Sequence, residues 1–208
     1  MPHDPYYILT LVFHEQSKPI AEQVKHLEHS LGETKHVQGK AIHTGPIIRQ
    51  NESYANQSID ERRHQFFRLM AFIRSCDLSY KSFMFKKTEY DSVNLVGRIS
   101  RELSLFIRDN LPYFTSFDRV ILYYDSGQPQ VAKVLSSVFN TLLFDVEIRR
   151  VRPADYYLFQ TADLICTLEL LAAKRDNSRL TKSDKAFFYK SGEMLRQIKA
   201  IRKKRFDQ

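Results

Sequence analysis

The side chains best suited to chemistry are two aspartates far apart in sequence, Asp125 and Asp163. Asp163 lies in Asp155-Tyr-Tyr-Leu-Phe-Gln160-Thr-Ala-Asp163-Leu-Ile-Cys-Thr-Leu-Glu169-Leu-Leu-Ala-Ala-Lys174. From Tyr157 onward this stretch has good helix formers, no Gly or Pro, and few polar side chains, so it predicts a largely buried helix. Gln160, Asp163 and Thr167, at i, i+3 and i+7, fall on one narrow polar line of that helix. An ionised carboxylate in such surroundings needs a metal, a cation or strong donors. Internal hydrogen bonds near the helix start would satisfy it equally well, and the sequence leaves both readings open.

Asp125 follows Arg119–Tyr124 (RVILYY), the clearest strand in the chain, and precedes Gly127, which permits a tight turn and close ligand approach. Its structural alternative is an aspartate that caps the turn. Functional sites of open α/β sheets gather at the carboxyl ends of strands. A strand-end carboxylate and a helix carboxylate brought together would supply oxygen ligands for Mg²⁺ or Mn²⁺. Sharing an ion at about 2.1 to 2.5 Å would put the two carboxylates within about 8 Å of each other. Two ions about 4 Å apart can activate water and stabilise the leaving oxygen in phosphodiester cleavage. Lys86 or Lys87, at another strand end, could neutralise a phosphate. The sequence-predicted catalytic set is therefore Asp125, Asp163 and Lys86, with Asp125 and Asp163 as metal ligands. Glu169, six residues beyond Asp163, is rotated by about 240° on the helix and points away from the polar line.

The elements that must position these groups alternate. Tyr6–Phe13 reads as a strand buried on both faces, and 17–31 as an amphipathic helix ending near Gly32. Residues 36–56 read as loop or weak strand, containing His43-Thr-Gly45-Pro46, Arg49 and Tyr54. A helix over 60–76 is capped by Ser58, with Glu61 completing a capping box. A strand over 80–85, a helix over 91–110, the strand at 119–124, a helix over 131–139 and a strand over 144–151 follow. The Asp163 helix and a final basic helix over 182–203 close the chain. This order predicts a single α/β domain, 1–208, with a largely parallel or mixed sheet flanked by helices.

Composition narrows the function classes. At 208 residues, with 43% hydrophobic and 27% charged residues, the chain is globular in type. Neither a P-loop nor a Gly-x-Gly-x-x-Gly stretch is present. Cys76 and Cys166 form no metal-binding spacing, and all seven histidines lie between His3 and His64 without a second cluster. No signal-like start and no run of about 18 apolar residues occurs, so the expectation is a cytoplasmic protein with no membrane partner. The net charge of +8 is concentrated in Lys174–Gln208, where twelve Lys and Arg face four Asp and Glu. A neutral body with a basic end predicts contact with nucleic acid, against the alternative of a solvated helix face.

Tyr123-Tyr124-Asp125-x-Gly127-Gln128, followed by Tyr-x-Leu-Phe-Gln160-x-Ala-Asp163-Leu-Ile, resembles the bacterial and phage family catalogued as domain of unknown function 3800. His43-x-Gly-Pro and the Arg62/Arg63 helix are similar too, so the resemblance covers nearly the whole chain. It implies a ribonuclease H-like fold and a metal-dependent nuclease, with Asp125 and Asp163 at metal-ligand positions and Gln160 supporting the second. Similar members begin with a strand ending Asp-Glu-Ser-Gly, whose Asp is also a ligand. This chain opens Met1-Pro2-His3-Asp4-Pro5 and runs straight into what resembles the family's second strand.

The functional expectation is thus a Mg²⁺- or Mn²⁺-dependent nuclease hydrolysing DNA or RNA, weak or inactive as written for want of the first catalytic strand. The chain is accordingly expected to be a truncated or mis-started form of a longer one. The alternatives are a non-catalytic nucleic-acid-binding or regulatory protein on the same scaffold, and a small-molecule α/β enzyme using the two aspartates separately.

Overall fold

A computed structural model describes residues 5–32, 40–87, 92–125 and 127–206. The opening Asp4, the first residues of the loop expected from His36, and Asp91 lie outside them. The strands are β1 (Tyr6–Phe13), β2 (Ser79–Lys86), β3 (Val120–Tyr124) and β4 (Val146–Arg150). The helices are α1 (Ala21–Gly32), α2 (Thr44–Arg49), α3 (Ile59–Ser75), α4 (Ser92–Asp109), α5 (Leu111–Thr115), α6 (Pro129–Leu142), α7 (Tyr157–Asp176), α8 (Lys182–Phe187) and α9 (Ser191–Arg202). The architecture is mixed α/β, and helix predominates.

The expectation of one largely parallel or mixed sheet is corrected. Among the described residues the strands form two two-stranded sheets, β1–β2 and β3–β4. The β3–β4 pair is parallel, in register from Val120 opposite Val146 to Tyr124 opposite Arg150. In the other sheet Lys87 donates to Pro5, Tyr7 packs on Phe85, and Thr10 meets Ser82, so the two strands run in opposite directions. A strand with one pairing partner keeps part of its surface accessible. Accordingly β1 is half-buried over most of its length, where its apolar run predicts burial on both faces.

The chain divides into two compact units, neither continuous in sequence. One comprises residues 1–8, 83–153 and 208, and holds α4, α5, α6, β3 and β4. Its core is built from Leu103, Phe106, Ile107, Phe114, Leu135 and Phe139, with edge-to-face ring contacts from Phe106 to Phe114 and from Phe114 to Phe139. The other comprises 9–82 and 154–207, and its core joins α1, α2, α3, α7, α8 and α9.

In this second unit α3 starts at the expected capping box: Ser58 Oγ accepts the Glu61 N–H, and the Glu61 carboxylate accepts the Ser58 N–H. The basic helix expected over 182–203 is two helices, α8 and α9, separated at Phe188–Lys190, where Tyr189 has φ of 44°. The pair Phe187-Phe188 sits at this break. The break lets both rings pack edge-on against Phe66 of α3, each fully buried. Each such burial is worth about 1.5–3 kcal/mol. Arg63 fastens the break by donating to the Phe187 carbonyl and to both oxygens of Glu193.

The end of the described chain is tied down as well. Tyr80 N–H donates to the Lys204 carbonyl, Phe206 N–H donates to the Tyr80 carbonyl, and Lys204 Nζ reaches the Cys76 carbonyl. Beneath this junction Glu169 of α7 is only 3% exposed. It accepts from Arg202 at 2.8 Å, Arg205 at 2.9 Å and the Tyr80 hydroxyl at 2.7 Å. Burial alone pushes this carboxyl up, but hydrogen bonds from Arg202, Tyr80 and Arg205 outweigh it and hold the group below its usual range. A depressed carboxyl contributes stability above its unfolded pKa and loses that contribution as pH falls through the folded value. Glu169→Gln is therefore expected to cost about 2 kcal/mol at pH 7. The cost should shrink in acid, below about pH 4. Paired denaturant titrations at pH 7 and pH 3.5 check this; a cost independent of pH would contradict it.

Candidate functional site

Residues 40–43, leading into α2, belong to no strand or helix, so their amides have no regular partners. Buried amides must nevertheless be paired, and here distant side chains pair them. Ile42 N–H donates to Gln160 Oε1 at 3.0 Å, His43 N–H to the Tyr54 hydroxyl at 3.0 Å, and Thr44 N–H to Asp163 Oδ2 at 2.7 Å. The Tyr54 hydroxyl passes its own proton to the Ala41 carbonyl at 3.4 Å. Two of these three acceptors come from the polar line of α7. Thr44 begins α2, whose own N-cap residue, His43, contributes no side-chain cap. Asp163 thus does for α2 what a local Ser or Asp usually does.

The Asp163 carboxylate is not used up by this contact. Its side chain is half-buried, and desolvation pushes its carboxyl above the ordinary value. The Thr44 amide and the positive charge of His43 and Arg49 oppose that rise. The buried Thr44 hydroxyl also favours the ionised form, though its Oγ1 makes no well-aligned hydrogen bond. His43 and Arg49 are exposed, and the Arg49 guanidinium folds over Gly45, where a Cβ would meet Nη2 at 3.0 Å. The result is a partly sunken carboxylate under the electrostatic influence of the exposed His43 and Arg49. Such an arrangement can orient or take a proton through Asp163 and receive an anionic oxygen on Arg49. Cys166, one turn further along α7, is no nucleophile at neutral pH. Burial, and then the Asp163 charge, push its thiol up to about 12.

Asp125 and Lys86 fall in the other unit. Asp125 Oδ1 accepts the Gly127 N–H at 3.1 Å, the turn-capping role that is the structural alternative for a strand-end aspartate. Gln128 is held beside it. Its carbonyl accepts from the Tyr124 hydroxyl at 2.8 Å, and its Oε1 from the Tyr7 hydroxyl at 2.6 Å. Lys86 is exposed at the end of β2. Of the residues singled out from the sequence, the structure brings Gln160 and Asp163 together on one clamped segment. The residues it adds to Asp163 are His43, Arg49 and Tyr54.

No model of a known protein family, no curated protein and no solved structure matches the chain.

A group whose folded pKa is raised contributes stability below its unfolded pKa and loses it as pH rises through the folded value. Ionised Asp163 is therefore a net cost at neutral pH. Asp163→Asn keeps an acceptor for Thr44 and is expected to leave the pH 7 thermal midpoint unchanged or higher, with any advantage vanishing below about pH 4. Asp163→Leu strands the Thr44 amide and should cost about 1–3 kcal/mol. Thermal melts of both variants at pH 7 and pH 3.5 test this. Destabilisation by Asp163→Asn at pH 7 would contradict it.

Proposed function

We propose that this chain acts on nucleic acid as a phosphodiester-directed protein of the metal-dependent nuclease kind, on a ribonuclease H-like scaffold, with Asp163 as its reactive carboxylate. The observation that carries the reading is the Asp163 site itself: an acid in a place that penalises its charge, under the electrostatic influence of exposed His43 and Arg49. Carboxylates perturbed by burial beside specific charges gather at functional sites, and a guanidinium is the natural receiver of a phosphate. The order of the Tyr-Tyr-Asp-x-Gly-Gln and Gln-x-x-Ala-Asp-Leu motifs supports the same reading.

The donor set around Asp163 does not by itself fit Mg²⁺ or Mn²⁺. These ions take mainly anionic oxygen, whereas Asp163 is surrounded by an imidazole, a guanidinium and an amide donor. No group of three or more His, Cys, Asp or Glu able to hold a metal occurs among the described residues. No catalytic step is therefore assigned to a metal, and hydrolysis requires carboxylates beyond Asp163. This mismatch favours a second reading, a nucleic-acid-binding protein that has kept the scaffold without the chemistry.

Both readings use the basic end of the chain. Arg202, Lys204 and Arg205 are engaged internally. Lys182, Lys185, Lys190, Arg196, Lys199 and Lys203 are exposed. No helix among the described residues is long and apolar enough to cross a membrane. The test is cleavage and binding of labelled single- and double-stranded DNA and RNA with Mn²⁺, Mg²⁺ or chelator. Metal-dependent cleavage lost in Asp163→Asn and in Asp125→Asn would establish the nuclease; salt-sensitive binding without cleavage would establish the second reading. The double charge reversal Lys199→Glu with Lys203→Glu should lower the slope of log affinity against log salt by about 1 to 2. An unchanged slope would mean that the basic end is only a solvated face.

A further inference from the structure

The parallel pair β3–β4 is open on its β4 side, since among the described residues β4 pairs with β3 alone. Val120 N–H donates to the Asp145 carbonyl and Val151 N–H to the Tyr124 carbonyl, both at 3.0 Å, with Val120 opposite Val146. In a parallel ladder these bonds fall to every second residue, so Asp145, Glu147, Arg149 and Val151 turn their main chain towards β3. Ile148 turns its N–H and carbonyl outward, and its side chain is 40% exposed. Parallel strands are ordinarily covered, and a bare edge is a template for another strand. The edge lies within one unit, and Phe144, just before β4, is fully exposed.

The charges along the edge select the occupant. Glu147 and Arg149 share one face of β4, joined Nε to Oε1 at 2.6 Å and Nη2 to Oε2 at 3.0 Å, and both are partly exposed. The Tyr123 hydroxyl at 3.1 Å steadies Arg149, and Arg119 at 3.5 Å steadies Glu147. Acid and base on either side of Ile148 read as their own complement when the strand is reversed, as an isologous contact demands. With a second copy laid antiparallel about Ile148, each Glu147 stands opposite the partner's Arg149. The outward main chain of Ile148 then exchanges hydrogen bonds with that of the partner's Ile148, and the two side chains meet on the axis. Sliding the partner by two residues sets Glu147 against the partner's Glu147, or Arg149 against the partner's Arg149. Like charges directly opposite destabilise a pair, so one register is preferred.

We propose that β4 is a self-association surface: two copies of this chain pair their β4 strands antiparallel about a twofold axis at Ile148, with Glu147 on the partner's Arg149 at both ends. Main-chain hydrogen bonds supply the attraction and the charges supply the register. The contact is small, so the association is weak and depends on concentration. It is independent of the nucleic-acid reading above.

The experiment is sedimentation equilibrium of the full chain from about 10 µM to about 1 mM, the range of weak association. A monomer–dimer equilibrium is expected. Glu147→Arg and Arg149→Glu, each checked for the parent's circular dichroism, should each weaken it about tenfold, since each sets like charges opposite at both ends. Mixed in equal amounts, the two variants pair a basic edge with an acidic one and should restore the dimer. Ile148→Cys places two thiols across the axis, where the Cα separation of about 5.5 Å of a hydrogen-bonded pair suits a disulfide. It should cross-link on mild oxidation, beyond any cross-linking of the unchanged chain. A monomer throughout the range would overturn the proposal. So would a dimer that both reversals leave intact, or weakened variants that mixing does not rescue. A dimer in which Ile148→Cys fails to cross-link would overturn the register.

Discussion

Three consecutive backbone amides with no strand or helix to pair them, those of Ile42, His43 and Thr44, set the terms for this half of the molecule. Each is taken by a side chain from elsewhere: Gln160, Tyr54 and Asp163. Leaving one buried amide unpaired costs about 1–3 kcal/mol, so this clamp fixes the path of the chain into α2. That path in turn sets where His43 and Arg49 stand. Ile42, Ile47 and Ile48 can join the core of α3 and α7 because the amides beside them are satisfied.

The two acids of α7 show how one helix serves two purposes. Glu169 is buried against two arginines and a tyrosine, and its charge is stabilised; it fastens the last described residues to the core. Asp163, six residues earlier, has one close amide donor, and burial disfavours its ionised form against the opposing charges of His43 and Arg49. A purely structural acceptor at that position could be a neutral amide, as Gln160 already is. An acid is also a common acceptor at a helix start.

The sequence made α7, its polar line and the α3 capping box legible because those signals are local: helical spacing, the lack of breakers, and Ser58 three residues before Glu61. The direction of Glu169 followed from helix geometry alone. Residues 36–56 were expected to be loop or weak strand, yet Thr44–Arg49 is helical. Its six residues contain Gly45 and Pro46, give no full apolar period, and take their cap from residue 163. A cap supplied from 119 residues away leaves no mark in the local sequence. Pairing of strands was hidden for the same reason: VILYY announces a strand but not how many neighbours it has.

The central claim is that Asp163 caps α2 while its own charge is disfavoured. Its most direct test is a pH titration of the Asp163 carboxyl carbon by ¹³C NMR, with the Thr44 amide proton followed in the same samples. The account predicts that Asp163 titrates above the value of about 3.9 typical of an unperturbed aspartate, and that the Thr44 amide shift follows the same curve. An Asp163 that titrates at or below that value, or a Thr44 amide indifferent to its protonation, would contradict the account.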